Sequence, residues 1–184
     1  MDSLSKPVWE VAPRLLGWRV CRRLGDTVLK LPIVETEAYA SSEDGASHAW
    51  RGPTPRNRPM FGPVGRSYVY FIYGMYHCLN VVAHAPEAAG AVLIRALDHG
   101  QCNGPGKLCR FLQIDRELTD LDLFASPDLW LEPGEPGGEV ATGLRVGIRK
   151  SVELPWRFWI AGNRHVSRGP VVLPSSLGEG GPGG

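Results

Sequence analysis

The stretch YVYFIYGMYHCLNVV, residues 68–82, reads as two β-rich runs, 68–73 and 76–83, folding back around Gly74. Alternation puts Tyr68, Tyr70 and Ile72 on one face and Val69, Phe71 and Tyr73 on the other. Five aromatic rings in nine positions exceed what one core face absorbs, so one face must be less buried. If Tyr73-Gly74 forms a hairpin tip, Tyr73 and Met75 project away from the core. There an apolar wedge can enter a DNA minor groove and unstack a base step, or the hairpin end can pack on its own domain.

Reading outward from this hairpin, residues 91–97 form another buried strand and residues 52–65 are mostly irregular. Residues 42–48 form a loop or short helix with Ser42 as a candidate N-cap. Further upstream, 18–24 and 27–39 are the arms of a hairpin joined at Gly25-Asp26, with Pro32 at an edge or bulge because it lacks an amide donor. Pro13 opens a helix running to Trp18. Downstream, GPG at 104–106 precedes a short amphipathic helix over 107–114. Residues 118–136 form a surface excursion tied down by Leu129, Trp130 and Leu131, and strands return at 143–148 and 157–161. With 23 glycines and 16 prolines, turns dominate and long helices are few. The expectation is an α+β fold in one domain over residues 1–174, built on a mostly antiparallel sheet. The final ten residues, 175–184, hold five glycines and read as a flexible tail.

The chain has 184 residues, 43% apolar and 21% charged, which disfavours disorder and fibrous architecture. No apolar stretch approaches the ~20 residues of a membrane span, and the first residues lack a signal peptide's apolar segment, so a cytoplasmic protein without membrane contact is expected. Its small size and form fit a bacterial protein. Net charge is +1, which announces no nucleic-acid partner by itself. Cys21, Cys78, Cys102 and Cys109 form no CxxC pair, and no His-x3-His completes a zinc site, so reduced thiols and no metal are expected.

Local charge is less even. Residues 45–86 contain no Asp or Glu but hold Arg51, Arg56, Arg58 and Arg66, three histidines and seven of the sixteen aromatics. Arginine bonds phosphate and ring faces stack on bases, a combination that suits nucleic acid. Core aromatics with ordinary surface arginines would give the same composition.

IVETEAY, residues 33–39, is the most unusual stretch. An extended strand turns Glu35, Glu37 and Tyr39 to one face, the two carboxylates roughly 6.6 Å apart at the backbone. Paired sugar-hydrolase acids instead lie across the scissile bond. One general base with a structural neighbour is the better reading, and a pair of solvated strand residues is the alternative. GPGKL is not a nucleotide-binding P-loop, and the zinc-deaminase pattern is absent.

Taken in order, ETEAY (35–39), ASHAWRGPTPRN (46–57), MFGP (60–63), YVYFIYGMYHCLNVV (68–82), VLIRAL (92–97), GPGKLC (104–109), LRVGI (144–148) and PWRFWIAGN (155–163) closely resemble the alkyladenine (3-methyladenine) DNA glycosylase family. The resemblance implies a curved antiparallel sheet with a protruding, DNA-inserting β-hairpin, and hydrolysis of the N-glycosidic bond of a damaged purine in double-stranded DNA. It implies that Glu37 activates the attacking water, helped by Arg95 and the Val146 backbone carbonyl. Tyr39, His48 and Tyr70 would enclose the flipped base, and Asn80 would crowd the exocyclic amine of guanine. Tyr73 would fill the gap in the duplex beside Met75, and Lys107 would hold a phosphate. No cofactor is implied, and a nucleoid-associated monomer is expected. The 98–103 connection is shorter than is common in the family, and Ser41-Ser42 stands where Gly-Pro is usual. A non-catalytic binder of distorted DNA and a hydrolase of free nucleosides are the rival classes.

Overall fold

A computed structural model describes residues 3–169; the glycine-rich stretch 175–184 lies outside them. Eight strands and two short α-helices follow the order α1 (Val8–Val11), β1 (Arg19–Leu24), β2 (Thr27–Tyr39), β3 (Ser67–Ile72), β4 (Tyr76–Val82), β5 (Ala91–Leu97), α2 (Pro105–Phe111), β6 (Leu129–Glu132), β7 (Val140–Gly143) and β8 (Arg157–Ile160). All strand pairs are antiparallel, in the order β3-β4-β5-β2-β1-β6, with β8 also on β2 and β7 on β8. The result is a curled, half-barrel α+β fold.

The 13-residue β2 organises the sheet. Its first half pairs with β1 from Leu24↔Thr27 to Arg19↔Pro32, and its second half pairs with β5 on one edge and β8 on the other. Pro32 stands at the handover, and register shifts follow it between Ile33 and Thr36. A residue without an amide donor is tolerated where the ladder changes partners, and a bulge there sharpens the bend.

One face of the sheet is covered by the N-terminal segment and by α2. Val8, Val11, Ala12 and Leu15 pack on Val34 and Ala38, and Leu108, Cys109 and Leu112 join the same apolar cluster. Pro13 does open a helical turn, but it is a single 3-10 turn (Ala12–Leu15) continuing from α1, ending at the extended Leu16. Helix α2 begins two residues earlier than expected and ends at Phe111. A Cβ on Gly106 would lie 2.7 Å from the Tyr76 ring, so the glycine lets α2 press on the β3–β4 hairpin next to its turn.

Of the two readings of residues 42–48, the loop holds: they are turns, organised by Asp44 rather than Ser42, with Asp44 accepting from the amides of Ala40 and Ala46. One expectation is corrected. The strand expected over 143–148 instead ends at Gly143, and 144–148 is irregular because the Arg145 guanidinium and the Val146 amide bond to the Ala38 carbonyl and to the Asp44 and Glu37 carboxylates rather than continuing the ladder with β8. The 118–136 excursion contains the edge strand β6, paired with β1. Among the described residues, no helix is long and apolar enough to cross a membrane.

Candidate active site

The second half of β2 has two faces with opposite tasks. Val34 and Ala38 enter the core, and Thr36 Oγ1 donates to the Ala12 carbonyl at 2.9 Å. Glu35, Glu37 and Tyr39 therefore turn the other way. Both carboxylates are fully buried, where a charge persists only if paired.

Glu35 is the more heavily bonded of the two. Its Oε1 accepts from Arg95 Nε at 3.0 Å, Arg157 Nε at 2.7 Å and the Ser167 hydroxyl at 2.9 Å, and its Oε2 accepts from the Ser167 amide at 2.7 Å. A carboxylate offers about four acceptor positions. Glu37 has three donors. Its Oε2 accepts from the Tyr39 hydroxyl at 2.8 Å and from Arg95 at 3.3 Å, and its Oε1 accepts from the Val146 amide at 2.7 Å. One acceptor position, on Oε1, has no partner among the described residues. Burial pushes the Glu37 carboxyl above the usual carboxylate range, and Arg95, the Val146 amide and the Tyr39 hydroxyl each pull it back. Burial and the facing Glu37 charge hold the Tyr39 hydroxyl well above its ordinary value, so it remains a donor.

In front of this carboxylate lies a cavity of about 760 Å³. Tyr39, His48, Tyr70, Tyr73, Asn80, Arg95, Lys107 and Val146 all line it, so eight of the ten residues singled out in the sequence meet around one space. Glu37 lies one hydrogen bond behind the wall. Met75 does not line the cavity; it stands beside Tyr73 at the hairpin tip, 62% exposed against 79% for Tyr73. Tyr73 and Gly74 both adopt left-handed backbone, φ 54° and 67°, and the Met75 amide closes the turn on the Ile72 carbonyl. A primed turn of this kind follows the twist of its strands, and glycine accommodates it without strain while tyrosine does not.

The side walls are aromatic and held from behind. His48 meets Tyr70 edge to face at 4.6 Å, and its Nδ1 lies 3.0 Å from the Tyr68 hydroxyl. Burial and the nearby Arg56 charge lower the His48 pKa, favouring the neutral ring. Asn57 Nδ2 donates to the His48 and Gly52 carbonyls, fastening the loop that carries His48. Asn80 Nδ2 donates to the Tyr68 and Cys78 carbonyls, which fixes its orientation at the cavity wall. Lys107, at the mouth, donates to Asn103 Oδ1 at 2.8 Å.

Sequence reasoning missed the residues behind these walls. Arg145 is buried and makes a bidentate pair with Asp44, at 2.6 and 2.8 Å, while also donating to the Ala38 carbonyl at 2.9 Å. Its guanidinium lies 4.8 Å from the Tyr39 ring centroid and 5.4 Å from that of Trp156, which stacks on Trp9. Its Nε has no hydrogen-bond partner among the described residues. Ser167 caps Glu35 and also accepts from Arg95 and Arg157. Nothing in the spacing of Asp44, Arg145 or Ser167 marks them, because each acts across a long stretch of chain. The Val146 amide, a donor the sequence reading did not name, also meets Glu37. Among the described residues, no cluster of three or more His, Cys, Asp or Glu side chains could hold a metal ion.

A family model described as methylpurine-DNA glycosylase matches residues 2–101 and 97–164. A protein of Synechococcus elongatus is 46% identical over 172 residues, which cover 90% of this chain and 88% of that one. One from Chlorobium phaeovibrioides is 43% identical over 92% of this chain and 98% of its own, and one from Trichodesmium erythraeum is 42% identical over 90% and 94%. Each of the three carries the name "Putative 3-methyladenine DNA glycosylase".

Proposed function

From the premise that this chain belongs to the methylpurine-DNA glycosylase family, and is thus a DNA-binding hydrolase of base excision repair, we propose that it removes alkylated purines from duplex DNA. Its substrates are of the 3-methyladenine type, with hypoxanthine and ethenoadenine as further candidates, and its product is an abasic site. The observation that carries the reading is the unfilled acceptor position on Glu37 Oε1, immediately behind a cavity with aromatic walls.

A damaged nucleotide leaves the stack at a cost of a few kcal/mol, smaller where pairing is already weakened. Tyr73, already exposed at the hairpin tip, fills the gap, with Met75 beside it. The extruded base enters between Tyr39, His48 and Tyr70, whose ring faces favour electron-poor alkylated purines. Asn80, immobilised by two carbonyls, crowds the exocyclic amine of an undamaged guanine. Water held on Glu37 Oε1 attacks the sugar carbon C1′. The new bond is C1′–O, the broken bond is the one between C1′ and the purine nitrogen, and Glu37 takes the water's proton. An alkylated, cationic purine leaves as a neutral base without further protonation. Arg95 keeps Glu37 oriented, and Lys107 holds a backbone phosphate. Water rather than an amine is the nucleophile, so the strand stays intact. The protein acts as a monomer, and a single glycosylase domain spans residues 1–174.

Glu37→Gln tests this. Single-turnover release of 3-methyladenine from methylated duplex DNA falls about 10²–10⁴-fold, the range for loss of a general base, while lesion binding persists. Unchanged release in the variant rejects Glu37 as the base. Lesion binding by the wild type without any released base makes the protein a binder of distorted DNA instead.

A further inference from the structure

A second cavity, of about 360 Å³, adjoins the first and shares Gly45, His48 and Lys150 with it. Its remaining wall includes Trp50, Arg51 and Arg56, and no Asp or Glu lines it. Among the described residues, no carboxylate lies within ion-pair distance of Arg51, Arg56 or Lys150. Three unpaired cations at one small cavity repel one another, and an ordinary surface would let them swing apart into water.

Here they are held together. Lys150 Nζ lies 4.3 Å from the Trp50 ring centroid, and the Arg51 guanidinium lies 5.3 Å from it. The electron-rich ring face attracts both. Arg56 is tied down separately, donating to the Phe71 carbonyl on β3 at 2.7 Å. Because cations already lie over Trp50, its face is a poor platform for a nucleobase. Its physical effect is to fix two positive charges beside a third. Convergent, pre-oriented cations without a counter-ion fit a phosphate, whose oxygens accept several charge-assisted hydrogen bonds at once. His48, Gly45 and Lys150 line both cavities, which places the second one within reach of a strand whose nucleotide occupies the first.

We propose that the second cavity is a phosphodiester subsite: Lys150 and Arg51, seated on Trp50, together with Arg56, bind a backbone phosphate of the strand that carries the extruded nucleotide. The proposal rests on the glycosylase reading and extends it to a stated place on the substrate. It also gives Trp50, half-exposed at 38%, a task that neither core packing nor base stacking supplies.

The test uses full-length protein and a set of lesion duplexes, each with one phosphodiester near the lesion replaced by an uncharged methylphosphonate. In the wild type, one replacement close to the lesion weakens binding. In Lys150→Gln and Trp50→Ala that replacement has no further effect, and the slope of log affinity against log salt is shallower by about one. Arg51→Gln repeats the measurement at the third position, so the outcome does not hang on one variant. Wild-type salt slopes and wild-type methylphosphonate sensitivity in all three variants overturn the subsite. If the coupling is present but wild-type protein releases no base, the glycosylase reading fails and the phosphate site stands. If base is released without coupling, only the subsite fails.

Discussion

Glu37 is held between opposing influences. Removal from water favours its protonated form, while a guanidinium, an amide and a hydroxyl favour the carboxylate. Burial prevails, so its pKa exceeds the ordinary glutamate value of 4.5. A general base works only when unprotonated, so excision falls as pH drops through this raised pKa, and the acid limb of kcat/KM lies above pH 4.5. A pH profile with its midpoint at or below that value contradicts the assignment. The linkage to stability has the opposite sense. A carboxyl whose folded pKa is raised stabilises the fold fully below its unfolded value, and that contribution is lost as pH rises through the folded value. The side chain proposed as the base therefore weakens the fold at neutral pH. Glu35, two positions away, has the same burial but four donors, two of them guanidinium groups. The sequence placed both carboxylates on one face of the strand but could not assign the donors, because Arg157 and Ser167 lie more than 120 residues along the chain.

At the scale of elements, the β3–β4 hairpin and strand β2 divide the work. Hairpin register runs from Ser67↔Val81 to Ile72↔Tyr76, so Tyr70 faces the cavity while Val69 enters the core. That alternation was legible in residues 68–82, as were the limits of β2 and β5 and, to within one residue, those of β1, because period-two patterning and Gly-containing turns are local signals. Tyr73, at the tip, makes little contact with its own domain. Tyr73→Ala leaves chemical stability within about ±0.5 kcal/mol of wild type, the usual range for exposed positions. The same change weakens binding to lesion duplex more than binding to single-stranded lesion DNA, where no gap needs filling. Equal losses on both, or a lowered melting temperature that accounts for the loss, would place Tyr73 in the fold instead. The elements misread from sequence were those whose ends depend on remote partners. Strand β7 stops at Gly143 because the next residues turn inward to meet Asp44 and Glu37.

For the whole molecule, the critical feature is a buried ion pair that ties the loop before His48 to the segment before Val146. Asp44 and Arg145 are both fully buried at the side chain, and the guanidinium also backs the Tyr39 ring. Such a pair adds little net stability over a well-packed apolar pair, but removing one partner leaves an uncompensated buried charge. Asp44→Ala therefore destabilises by about 3–5 kcal/mol in denaturant titration. A loss under about 1 kcal/mol would mean that water reaches Arg145 and that the clamp is not closed. Because the pair sits behind two cavity walls, the same variant also loosens base selection in whatever fraction remains folded.

The order of strands along β2 and the hairpin, the single-signed basic window and the carboxylate face of residues 35–39 were set by the amino-acid sequence alone. All of them are written in neighbouring side chains through pleat, turn preference and charge. Convergence was decided only by tertiary structure. Which oxygen of Glu37 stays open, which cations share Trp50 and which arginine stands behind Tyr39 all depend on groups far apart in the chain. Their distances follow from how a bent sheet closes, and no local pattern encodes them.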